Sequence, residues 1–192
     1  EFLLFDPEHP ELFREAIRYA RNPQSPMAAT FFDLRPHPFQ ERILDLLTVE
    51  RKTHNCWKNL IIAATGTGKT VIAAFDFRRF FEEHQRQAKL LFVAHRKEIL
   101  EQALVTFRNV LRLADFGELL VGSYEASRND HLFCSVDMLN SRRLWVQTGI
   151  NFYDFIILDE VHHGVSDSYR PVFDNFRPKV LLGLTATPER MD

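Results

Sequence analysis

Cysteine is scarce in this chain, with two residues in 192, Cys56 and Cys134, each lacking a second cysteine nearby. That excludes a disulfide framework and a zinc knuckle, and both thiols are expected to be reduced and incidental. An excess of one charge is also missing: 24 basic residues face 26 acidic ones, for a formal net charge of −2. A protein that grips nucleic acid through a general basic field is thereby disfavoured, so any such contact must be local. No apolar run reaches about 18 residues, and no basic flank leads into an apolar segment, so neither a membrane span nor a secretion signal is read. A cytoplasmic location is expected. Internal repeats and low-complexity tracts are absent too. The length suits one well-buried main domain with a little left over. Because the sequence starts at Glu1 rather than methionine and stops at Asp192 just after a motif, it is expected to be an excised fragment.

Phenylalanine, by contrast, is plentiful, with 18 residues. A row of base-stacking platforms is one reading. The distribution favours a core. Phe75, Phe77, Phe80 and Phe81 share a helical stretch, while Phe92, Phe133 and Phe155 sit in strand-like runs.

Residues 1 to 33 read as an N-terminal extension or the tail of a preceding domain, with a short amphipathic helix over 10–21 and an irregular connection over 22–30. After the turn-prone Arg35-Pro36-His37-Pro38, apolar spacing predicts a helix over 39–51. Strands and helices then alternate. Strands are expected at 60–62, 88–94, 119–122, 132–136, 153–158 and 180–184, and helices at 71–81, 97–113, 137–146 and 168–176. Apolar strands buried on both faces and alternating with helices define an α/β fold, a three-layer doubly wound parallel sheet whose ligands bind beyond the carboxyl ends of the strands.

Three polar motifs fall at such ends. Ala63-Ala64-Thr65-Gly66-Thr67-Gly68-Lys69-Thr70 lies between a strand and a helix. There Gly66 and Gly68 let successive backbone N–H groups face phosphate oxygens, and the helix adds its positive end. Lys69 would reach the β- and γ-phosphates of ATP and Thr70 would ligate Mg2+. The second motif, Asp159-Glu160, ends an apolar strand, where unpaired carboxylates are costly. Asp159 is assigned to the metal, directly or through water, and Glu160 to orienting and deprotonating the attacking water. Thr185-Ala186-Thr187 is the third. His162 and His163 invite a metal-site reading, which their adjacency on a loop argues against, since zinc-binding histidines on a helix are spaced i, i+4.

With ATGTGKT, DEVHH and GLTATPER in this order, residues 34–192 resemble the first RecA-like domain of superfamily 2 helicases and translocases. The resemblance is strongest to the DExH branch containing restriction-enzyme helicase subunits. It implies a P-loop ATP hydrolase. It also implies that Gln40, beside Phe39, reads adenine, although taken alone Gln40 is a solvated first-turn residue. His162 would sense the γ-phosphate region, and Thr185 and Thr187 would link the ATP site to nucleic acid. Segment 92–102 resembles a backbone-contacting motif, giving Arg96 as a phosphate contact. Ser135 is a second contact, with Asp137 standing where the family usually has glutamine.

The expectation is therefore the ATP-binding motor domain of a helicase or translocase acting on nucleic acid, with DNA ahead of RNA. A second RecA-like domain would supply transition-state arginines, and without it hydrolysis should be poor. Oligomeric state is left open. The competing reading is a nucleotide-gated clamp for nucleic acid or protein without sustained turnover, and a small-molecule phosphotransferase stands third.

Overall fold

The structure, a computed structural model, describes residues 34–161 and 168–186. The expected extension over 1–33, together with His162, His163 and Thr187, lies outside the described residues. In chain order the elements are α1 (Pro38–Lys52), β1 (Lys58–Ile62), α2 (Lys69–Glu83), β2 (Leu90–Ala94), α3 (Lys97–Leu111) and β3 (Glu118–Leu120). They continue with β4 (His131–Ser135), α4 (Val136–Ser141), α5 (Leu144–Thr148), β5 (Phe155–Leu158), α6 (Arg170–Asn175) and β6 (Val180–Thr185). The six strands form one parallel sheet in the order β1-β6-β5-β2-β4-β3.

Side-chain alternation along the strands splits the core into two layers. On one face Leu90, Phe92, Phe133, Phe155 and Ile157 pack with Leu44 of α1, Ile72 and Phe77 of α2, and Leu104 and Phe107 of α3. On the other, Leu91, Val93, Cys134, Ile156 and Leu158 pack with Leu139 of α4, Leu144 of α5 and Val172 of α6. Phe75, Phe77, Phe80, Phe81, Phe92, Phe133 and Phe155 are core, as expected. Phe77 sits at their centre, with ring centroids 5.2 Å from Phe81, 5.5 Å from Phe155 and 5.8 Å from Phe116. Burying one such ring contributes about 1.5–3 kcal/mol.

A buried ion pair ties the first helices together. Both Arg51 guanidinium NH2 groups donate to the Asp76 carboxylate at 2.7 Å, the Arg51 Nε donates to Asn59 at 2.9 Å, and the guanidinium lies 5.6 Å from the Phe155 ring centre. Burial pushes the Asp76 carboxyl up, against the opposing pull of Arg51.

Two expectations are corrected. The helix expected over 137–146 is two short helices, because Arg143 turns left-handed at φ 48° and stops the first. And β1 is not buried on both faces: it is an edge strand, with Leu60 and Ile62 54% and 50% exposed. Among the described residues no helix is long and apolar enough to cross a membrane.

Candidate nucleotide and nucleic-acid site

Register brings the motifs to one edge. Ile62 pairs with Thr185, Leu158 with Gly183, Val93 with Leu158 and Ala94 with Ser135. The chain therefore leaves the sheet, from one side to the other, as the glycine-rich loop, Thr185, the acid pair, Arg96 and Ser135. The loop and the acid pair follow strands separated only by β6, a backbone spacing of about 10 Å. A Cβ at Gly183 of β6 would meet the Leu60 side chain of β1 at 2.8 Å and Val161 at 3.5 Å, so the glycine leaves room for Leu60 to lie against β6.

In the loop, Gly66 and Gly68 adopt φ values of 81° and 77°, the left-handed region that side chains disfavour. Gly68 opens α2 with no side-chain cap, so the first-turn N–H groups of the helix, including that of Thr70, face the loop's concavity. The Lys69 ammonium folds over the same concavity, donating to the carbonyls of Ala63 and Ala64 at 2.9 and 3.1 Å. Thr67 donates its hydroxyl to Ala64 at 2.7 Å, and Thr65 is exposed. The Ala63 N–H bonds the Thr185 carbonyl at 3.1 Å, fixing the loop's start to β6.

Gln40 is not a solvated first-turn residue. It is 4% exposed, its Oε1 accepts from the His37 N–H at 2.9 Å, and its Nε2 donates to the Thr67 carbonyl at 3.0 Å. It thereby fastens α1 to the phosphate loop. Beside it Phe39 is 48% exposed, its ring parallel to that of His37 with centroids 6.1 Å apart.

The acid pair occupies a strained turn held from three sides. Glu160 has φ 57°, a left-handed conformation that costs a residue with a side chain about 1–2 kcal/mol. Its N–H donates to the Asp159 carboxylate at 2.9 Å. Asp159 N–H bonds the Val93 carbonyl at 2.9 Å, Val161 N–H bonds that of Leu184 at 3.1 Å, and the Tyr169 hydroxyl donates to the Asp159 carbonyl at 2.6 Å. Sequence reasoning missed Tyr169, which offers no motif of its own within an ordinary helical pattern.

Arg96 is exposed at the residue preceding α3. Ser135 lies differently from a surface contact. It is buried, and its Oγ accepts from the Met138 N–H at 3.2 Å, capping α4. Asp137, in that helix's first turn, is exposed.

A parallel sheet with the glycine-rich loop after β1 and the acid turn after β5 is the RecA-like architecture found in helicases. Residues 33–190 match the family described as Type III restriction enzyme, res subunit, and the chain belongs to that family. It is 34% identical over 145 residues to the Saccharomyces cerevisiae protein named "Putative ATP-dependent helicase IRC3", covering 67% of this chain and 20% of that one. Over 168 residues it is 32% identical to the Schizosaccharomyces pombe "Putative mitochondrial ATP-dependent helicase irc3", covering 84% of this chain and 27% of that one. The chain thus spans about a quarter or less of these relatives' lengths. In fold it resembles a nuclease-deletion mutant of the type ISP restriction-modification enzyme LlaGI in complex with a DNA substrate mimic, with a TM-score of 0.64 and 18% identity, covering 81% of this chain and 18% of that one.

Proposed function

We propose that this domain is the ATP-binding half of a motor that couples ATP hydrolysis to movement on nucleic acid. One observation carries this reading: the phosphate loop, the acid turn and the Arg96 loop leave the ends of β1, β5 and β2 along one sheet edge, with only β6 between the first two. DNA is placed ahead of RNA as the track, in keeping with the DNA-bound state of the LlaGI enzyme of like fold.

The residues divide the work as follows. Thr65, Gly66, Thr67 and Gly68 cradle the phosphates with backbone amides, and Lys69 exchanges its carbonyl partners for phosphate oxygens. Gln40 and Phe39 lie beside the loop to receive the base. Thr70 and Asp159 supply oxygen donors at the helix start and the strand end, a pair suited to Mg2+, which keeps most of its shell for phosphates and water. Bound there, Mg2+ supplies neutralisation of phosphate charge. Glu160, in the left-handed turn at the end of β5, orients and deprotonates the attacking water. His162 senses the γ-phosphate region, and Thr185 with Thr187 links the ATP site to nucleic acid. Arg96 contacts backbone phosphate, and Ser135 serves that surface mainly by starting α4. A second RecA-like domain completes the motor. The location is proposed to be cytoplasmic, and fractionation against the mitochondrial alternative named for the fission-yeast relative tests it.

The test is phosphate release by the full-length protein with and without DNA, beside a Glu160→Gln variant. Stimulated release that falls about a hundredfold or more in the variant is expected. Nucleotide and DNA binding without release above that control would instead identify a clamp.

A further inference from the structure

The acid turn and the Arg96 loop are separate in sequence, yet one side chain touches both. Tyr169 is 1% exposed, its hydroxyl donates to the Asp159 carbonyl at 2.6 Å, and its ring stands edge-on to His95 at 5.0 Å and 81°. His95 immediately precedes Arg96. Ser168, one residue before the tyrosine, accepts from Asn140 of α4 at 2.9 Å, and α4 is the helix that Ser135 caps. Of the two elements assigned to nucleic acid, the Arg96 loop thus meets the bracing residue through His95 and α4 holds the residue just before it.

We propose that Tyr169 is a positioning residue that couples nucleic-acid contact at the Arg96 loop and α4 to the geometry of Glu160. The left-handed Glu160 conformation persists only while its surroundings over-determine it. Two of its three braces, Asp159 N–H to Val93 and Val161 N–H to Leu184, are main-chain bonds to the rigid sheet. The third, the Tyr169 hydroxyl, is a side-chain bond whose ring stands against His95, in the two-residue connection between β2 and α3. A shift of His95 when phosphate binds beside Arg96 is passed by the ring edge to the hydroxyl, and from there to the carbonyl preceding Glu160. Burial pushes the Tyr169 hydroxyl well up from its ordinary value, so it remains a donor throughout the working pH range.

The inference rests on the motor reading. Its test compares DNA-stimulated with basal ATP hydrolysis in the full-length protein, for wild type, Tyr169→Phe, His95→Ala and the double variant. Tyr169→Phe keeps the buried ring and removes only the hydroxyl. Its stimulation ratio is expected to fall about three- to thirtyfold, with KM for ATP and the Kd for DNA within about twofold of wild type. His95→Ala is expected to fall likewise, and the double variant to fall little further, because both interrupt one connection. A wild-type protein that DNA does not stimulate overturns the motor reading and this inference with it. Stimulation in wild type with the ratio retained in Tyr169→Phe, or with basal and stimulated rates falling in proportion, overturns this inference alone.

Discussion

Gly68 carries two constraints that can be measured apart. Its φ of 77° is disfavoured for any side chain, and a Cβ there would stand 2.6 Å from the Gln40 Nε2 that bonds Thr67. Gly66 has the first constraint alone, since its φ is 81° and nothing lies within 4 Å of an added Cβ. Gly66→Ala is therefore expected to lose about 1–2 kcal/mol of stability, and Gly68→Ala about 1 kcal/mol more because the Gln40–Thr67 bond is displaced. Thermal melts of the two variants check this. Equal shifts would mean that Gln40 gives way without cost and does not fasten α1 to the loop. The two glycines were legible in the sequence because only glycine enters the left-handed region freely. The burial of Gln40 was not, because a first-turn glutamine looks solvated until the loop 27 residues onward closes over it.

At the scale of elements, strands and long helices were readable wherever periodicity was strong, as in α2, α3, β2 and β5. The reading failed where a single backbone dihedral decided the outcome: nothing in the pattern over 137–146 announced that Arg143 would turn left-handed. It failed also for β1, whose apolar composition looks the same at an edge as in the centre of a sheet. The clamp between α1 and α2 was invisible for a related reason. Arg51 and Asp76 are 25 residues apart in helices that each look amphipathic, and only packing shows that both face inward. Replacing Arg51 with methionine leaves the Asp76 carboxylate buried and uncompensated, which should cost about 3–5 kcal/mol. Combining Arg51→Met with Asp76→Leu removes the stranded charge and should recover most of that loss. Urea midpoints of the two single variants and the double test the clamp, and additive losses would refute it.

At the scale of the whole molecule, the aromatic layer beneath α2 and α3 makes global stability depend on pH. His131 stacks on Phe116 with centroids 4.3 Å apart, meets Phe81 edge-on at 5.6 Å, and has no partner for its Nδ1 among the described residues. Burial pulls its pKa from the ordinary 6.5 down to about 4, with Arg128 and Lys89 pulling the same way and Asp130 opposing. Unfolded, the imidazole takes up a proton below about pH 6.5, while in the folded protein it stays neutral until about pH 4. Stability is thus fully present above pH 6.5 and drains as pH falls towards 4, by up to about 3 kcal/mol from this group. Two carboxyls contribute with opposite signs. Glu118, held low by Arg128 and Ser127, adds a loss only as pH falls through and below the usual carboxylate range, whereas Asp76, raised by burial, acts against it. The His131 share is therefore isolated by difference. The urea-derived stability of wild type should drop between about pH 7 and pH 5, and that drop should largely vanish in His131→Phe, which keeps a ring against Phe116 without the titration. An identical pH slope in both proteins would mean that His131 is protonated in the folded layer, and that the cavity around Phe116 is wetter than its packing implies.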